Sequence, residues 1–298
     1  MVILYHGTTR ALESPIHPLG ETVSFDEVVQ LNSERIKSGT ITPEQRIFFV
    51  EGLRRAQLSI KTPRSDFGAG FYASCDNDFS NIWASSQIRQ SLGKDSKNKS
   101  AFVYTLEYDA DRASKGKIKL FRFDTTDIRW ILFIAFNRGV LQRASAPGLY
   151  DKISEFEKSY DVITGPTADD RIYSLCRDYI SPVAPYSEFI THKHVLKALE
   201  SANLSIQYVF KTPEVCRNYI QITGKYTLSE SEISKFCELS DERSENAYKY
   251  YRDTIKNLKT VQAGLNFQEL ITLIEQNSID KFENIAEEVL VSESDETR

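Results

Sequence analysis

The sequence predicts an α+β protein: a β-rich body broken by a helical insertion and followed by a helical C-terminal appendage. Three observations carry that expectation. Short runs rich in β-branched and aromatic residues recur at 2–5, 101–108, 117–123, 160–164 and 205–210. The helix-like stretches between them keep no steady strand–helix–strand rhythm, which disfavours a doubly wound sheet. From Thr227 onward the chain turns polar and is nearly free of Gly and Pro, as a set of helices would be.

Taken in order, Val2-Ile3-Leu4-Tyr5 reads as the first strand and His6-Gly7-Thr8 as a turn after it. Residues 24–38 and 43–59 read as a helical pair inserted over about 21–62. The second helix has a clean start, with Thr42 as N-cap, Pro43 in the first turn and Gln45 closing a capping box. Further helices are expected at 80–91, 127–143, 167–180 and 187–200. In the C-terminal part, a long helix is followed by shorter ones at 266–276 and 279–290, and residues 291–298 are expected to fray. The boundary falls between 224 and 225.

Composition bounds the function. A chain of 298 residues with 41% hydrophobic and 27% charged residues is globular, and long enough for a real core. Its most apolar run, "WILFIAF" at 130–136, is too short to span a membrane. With no basic-then-apolar leader and four scattered cysteines, neither secretion, a disulfide scaffold nor zinc is expected, and a cytoplasmic location is. The net charge of −5 is uneven. Residues 225–298 carry 9 basic and 16 acidic side chains, a balance of −7, which leaves +2 for the body.

Three stretches invite chemistry. "YHGT" puts one of only four histidines at a strand end, where the ordinary alternative is a satisfied surface group. "DFGAGFYAS" (66–74) offers Gly68 and Gly70, whose freedom of backbone lets another surface come close, directly before Phe71 and Tyr72. Trp83 follows eleven residues after Tyr72. "SIQYVF" (205–210) places Gln207 inside an otherwise apolar strand, where its amide needs a partner or a ligand. Alternation puts Gln207 and Val209 on one face and Ile206, Tyr208 and Phe210 on the other. His192 and His194 stand two apart on an expected helix and so diverge, and His17 sits among prolines; no metal site is expected.

Together these stretches resemble the ADP-ribosyltransferase superfamily, in its diphtheria-toxin and poly(ADP-ribose)-polymerase branch, and more narrowly a set of bacterial toxin-like members. The narrower set shares "DFGxGFY", an Asn-Arg-Gly segment (Asn137-Arg138-Gly139) and "GPxADDR" (Gly165 to Arg171). The resemblance covers roughly 1–220. It implies a split β-sheet core with NAD as substrate, and His6, Tyr72 and Gln207 as the catalytic positions. It further implies that His6 holds the adenosine-side ribose, the Gly7 backbone holds the nicotinamide amide, and Thr8 assists at a ribose. Tyr72 and Trp83 would form the aromatic walls and Ser80 would contact the amide. Gln207 departs from the family's glutamate. It can hydrogen-bond a ribose hydroxyl but brings no charge, so chain elongation is not expected, whereas Gln207→Glu is expected to retain or partly restore turnover. On the acceptor side the candidates are Arg138, Asp169 and Asp170, the two acids being equally readable as helix-capping residues.

The function expected from the resemblance is mono-ADP-ribosyl transfer by a toxin, toxin–antitoxin or phage-defence effector. Basic loops at Arg54 to Arg64, Lys94 to Lys99 and Arg112 to Arg122 leave nucleic acid (RNA or DNA) and protein both open as the acceptor. The acidic helices offer a docking place for an antitoxin or chaperone. Two alternatives remain: an NAD glycohydrolase, and a catalytically weak relative that only binds NAD or a partner.

Overall fold

A computed structural model describes residues 1–9, 65–68, 70–90, 100–168, 170–181, 190–199, 204–256 and 264–295. The expected insertion at 21–62, His17 and Asp169 lie outside them. The described residues form an α+β fold, as the sequence predicts, around one seven-stranded mixed sheet.

In chain order the elements are β1 (Val2–Thr8), β2 (Phe71–Ser74), α1 (Asn77–Gln90), β3 (Phe102–Tyr108), α2 (Ala110–Lys115), β4 (Leu120–Arg122) and α3 (Ile128–Asn137). Then come α4 (Pro147–Ser159), β5 (Val162–Pro166), α5 (Asp170–Ile180), α6 (His192–Leu199), β6 (Ile206–Phe210), α7 (Pro213–Tyr219) and β7 (Ile220–Thr227). The chain closes with α8 (Glu230–Lys256), α9 (Phe267–Gln276), a 3₁₀ turn at Phe282–Asn284 and α10 (Ile285–Asp295). Strand order across the sheet is β4-β5-β6-β2-β1-β3-β7. Only β4 and β5 run parallel; every other neighbouring pair is antiparallel.

Pairing is uneven along that order. β1 meets β3 over its whole length, from Val2↔Tyr108 to Thr8↔Phe102. It meets β2 at one residue pair only, Tyr5↔Ser74. The sheet is therefore two well-paired blocks joined at a single point, and the candidate residues lie around that joint.

The run "WILFIAF" is the buried helix α3. Asp127 caps it by accepting from the amides of Arg129 and Trp130 at 2.9 and 3.1 Å. The expected helix at 127–143 stops at Asn137 because Gly139 takes φ +77° and the Val140 amide turns back to the Ala135 carbonyl. Trp130 is fully buried and donates its indole N–H to the Pro166 carbonyl at 3.0 Å. The same core takes in Phe133, Phe156, Ile163 and Val209.

The C-terminal helices join that core. Leu270, Ile274, Phe282, Ile285 and Val289 are buried in the same cluster as Trp130, and the Phe282 ring lies 4.8 Å from that of Phe156. α8 packs along α1, where Arg89 grips Asp241 with two bonds of 2.9 and 3.2 Å. The expected boundary at 224/225 falls inside β7. α10 runs on through Asp295, past the point where fraying is expected at 291; the Ser292 and Ser294 hydroxyls donate to the Val289 and Val291 carbonyls.

Candidate functional site

β1 runs three residues further than the expected strand Val2–Tyr5, so His6 sits within a strand rather than after it. Where β1–β2 pairing ends, His6 Nδ1 takes the place of a ladder bond and donates to the Tyr72 carbonyl at 2.6 Å. A carbonyl only accepts, so Nδ1 carries the proton and Nε2 is left as an acceptor when the ring is neutral. Burial lowers the His6 pKa from 6.5 to about 4, against the opposing pull of the Tyr72 carbonyl. The ring leans on Phe71, centroid to centroid 4.6 Å.

A folded-state pKa below that of the unfolded chain makes the unfolded chain the better proton acceptor. The stability drawn from His6 is therefore complete above about pH 6.5 and is lost as pH falls toward 4. It is no more than about 3 kcal/mol, less where water reaches the ring. Urea denaturation at about pH 7 and about pH 4.5 should show a steeper loss for the parent than for His6→Gln.

Behind β1 stands α1. Its first turn is held by Asp76, which accepts from the amides of Asp78 and Phe79 and from the Ser205 hydroxyl at 2.9, 3.2 and 2.6 Å. Ser80 is buried and donates its hydroxyl to the Tyr5 carbonyl at 3.1 Å. Thr8 is buried at the end of β1. A Cβ at Gly7 would run into the Ser80 carbonyl, so the glycine is required by helix packing whatever binds nearby. Gly7→Ala should cost about 1–3 kcal/mol in a denaturation measurement. Trp83 is 52% exposed on the same helix, and no ring contact joins it to Tyr72.

The segment 65–72 is a turn pinned at several points. Gly68 takes φ +78°, and a Cβ at Gly70 would enter the side chain of Val209 and the backbone of Phe210 on β6. Both glycines thus do what the sequence suggests, positive φ and close approach. Tyr72 donates its hydroxyl to the Gly68 carbonyl at 2.6 Å and accepts from the Phe67 amide at 3.1 Å. Burial pushes its phenol pKa well above the ordinary value. Lys211, itself buried against Glu157 at 2.6 Å, donates to the Phe67 carbonyl at 2.5 Å. The Tyr72 ring is thereby a fixed wall.

Register places Tyr72 opposite Val209 and Ser74 opposite Gln207, so Tyr72 and Gln207 share a sheet face two positions apart. Phe71 and the His6 ring that leans on it lie on the other face, and His6 joins the pair through the Tyr72 backbone. The three positions adjoin one another around the joint between β1 and β2.

Gln207 is 5% exposed, and its Nε2 donates to Asp66 Oδ2 at 3.3 Å. Asp66 Oδ2 also receives the Ala168 amide at 2.8 Å, while Oδ1 is held by Arg138 through Nε at 2.8 Å and Nη2 at 2.7 Å. Burial pushes the Asp66 carboxyl upward, and the Arg138 charge and these donors pull it back. Arg138 further donates to the Ala168 carbonyl at 3.0 Å and lies 5.2 Å from the centre of the Tyr173 ring. The structure thus places Arg138 in a buried network beneath Gln207. Asp170 is the first residue of α5.

Asp66, Glu157 and Lys211 escape sequence reasoning as members of this site. The signal for Asp66 was present: an acid inside a glycine and aromatic run, a polar residue with the same need for a partner as Gln207. His192 and His194 are both buried, and the His192 ring faces Glu293 at 3.5 Å. No group of three or more His, Cys, Asp or Glu side chains suited to a metal occurs among the described residues. Nor is any helix among them long and apolar enough to cross a membrane.

The model of a family described as "Protein of unknown function (DUF3990)" matches residues 50–221, more than half of the chain. The match spans β2 to the start of β7, with Asp66, Tyr72, Ser80, Trp83, Arg138 and Gln207, and leaves out β1 with His6. No curated protein and no solved structure matches the chain.

Proposed function

The chain belongs to the DUF3990 family, whose function is unknown, and for it we propose NAD-dependent mono-ADP-ribosyl transfer to an intracellular macromolecule. The observation that carries this reading is the His6 Nδ1–Tyr72 carbonyl bond at the joint between β1 and β2. It ties together two of the three positions that the resemblance marks, with the third on the neighbouring strand.

The chemistry suits these side chains. Cleavage of the nicotinamide–ribose bond sends the bonding electrons out with nicotinamide and leaves an oxocarbenium-like ribose. A fixed Tyr72 ring supplies a flat face for the cationic nicotinamide, and Trp83 is exposed to serve as a second wall. Neutral His6 offers Nε2 as acceptor to a ribose hydroxyl, and Gln207 offers its carbonyl oxygen. Ser80 and the Gly7 backbone line the same end of β1. The acceptor's base comes from outside this network, with Asp169 and Asp170 as its candidates. The acceptor is RNA, DNA or protein, and the acidic C-terminal helices are the docking place for a regulatory partner in a cytoplasmic toxin or defence system.

A second reading, NAD or partner binding without transfer, draws on one observation: the carboxylate nearest Gln207 is Asp66, already held by Arg138. Calorimetric titration with NAD tests the first step common to transfer and hydrolysis. The parent should bind, and folded Tyr72→Ala should bind at least about tenfold more weakly, the ring being worth some 1–2 kcal/mol or more against a desolvated cation. Equal affinity in the two proteins removes the assignment.

A further inference from the structure

We propose that Asp66 is the positioning residue for Gln207, and that its buried carboxylate is the reason β6 carries an amide and excludes a carboxylate at this position. That the amide oxygen then serves the ribose of NAD rests on the reading above; the pairing itself does not.

A carboxylate only accepts, so the 3.3 Å contact fixes the amide with its nitrogen toward Asp66 and its oxygen away. Among the described residues, that oxygen has no hydrogen-bond partner, and it is not shut off from solvent. A carbonyl so placed gains from an arriving donor and loses if left dry. On the face it shares with Tyr72, it can accept from an arriving donor such as a hydroxyl. Asp66 thus turns a glutamine that has two equal orientations into one that presents an acceptor.

A glutamate would not substitute. At residue 207 it would bring a second carboxylate oxygen to about the same 3.3 Å from Asp66. Two carboxylates that close do not both stay ionised. Arg138 is no remedy, since its guanidinium is engaged by Asp66 Oδ1, the Ala168 carbonyl and the Tyr173 ring. On this proposal Gln207→Glu is destabilising, where the sequence alone leads to the expectation of retained or partly restored turnover.

The test is a double-mutant cycle in the full chain, with parent, Gln207→Glu, Asp66→Asn and the double variant compared by urea denaturation. Gln207→Glu should lower the folding equilibrium constant by roughly 100-fold. Adding Asp66→Asn leaves one carboxylate in the network and should recover at least about tenfold of that loss. A Gln207→Glu protein as stable as the parent overturns the proposal. So does a double variant that is no more stable than Gln207→Glu, failure of both to fold included. None of these measurements involves NAD. Recovery in the cycle beside a parent that does not bind NAD keeps the Asp66–Gln207 pair and removes the enzyme reading.

Discussion

Arg138→Met destabilises the protein by about 3–5 kcal/mol, the cost of leaving one member of a buried ion pair without its partner. The side chains of Arg138 and Asp66 are only 12% and 10% exposed, so water does not compensate the carboxylate left behind. The carboxylate keeps the Ala168 and Gln207 donors, which limits the damage without cancelling the charge. Asp66→Asn/Arg138→Met removes the charge from both ends and should lose clearly less than Arg138→Met alone. Urea denaturation of the three proteins decides it. Equal stability of Arg138→Met and the parent would show that the pair is not buried as described. A double variant worse than the single one would show that packing, and not charge, dominates.

Why this network escaped the sequence is a matter of distance along the chain. Residue 66 meets 138, 168 and 207, and no local pattern records such pairings. Gln207 was legible because one amide in an apolar strand demands a partner; which partner was not. The same holds for the C-terminal helices. Their existence follows from composition, yet Leu270, Ile271 and Ile274 say only that something covers them. The structure shows that the cover is the body's own core. Among local elements, α4 was missed although Leu149, Ile153 and Phe156 recur at helical spacing, because Pro147-Gly148 reads as a turn and serves instead as a helix start. β2 is four residues long, too short for alternation to show, and β7 is an edge strand with most residues exposed.

On the proposed function, Gln207→Ala should lower ADP-ribosyl transfer by about 10²-fold or more, in line with the loss of one preorganised transition-state hydrogen bond. On that reading the amide oxygen acts chiefly as the ribose loses nicotinamide, so NAD affinity should change little and the effect should fall on kcat. Asp66 also loses one donor, and thermal melts of the variant are needed to show that the protein assayed is folded. Wild-type transfer by folded Gln207→Ala would move the catalytic load to another residue, with Asp169 or Asp170 the first to examine.

The central claim is transfer itself. Purified protein is incubated with NAD labelled on the adenylate half and with total cell lysate, after which protein and nucleic-acid fractions are separated and counted. The account predicts label covalently retained in one of the two fractions, released nicotinamide in matching amount, and loss of both signals with Gln207→Ala. NAD left intact, with no label in either fraction, would contradict it.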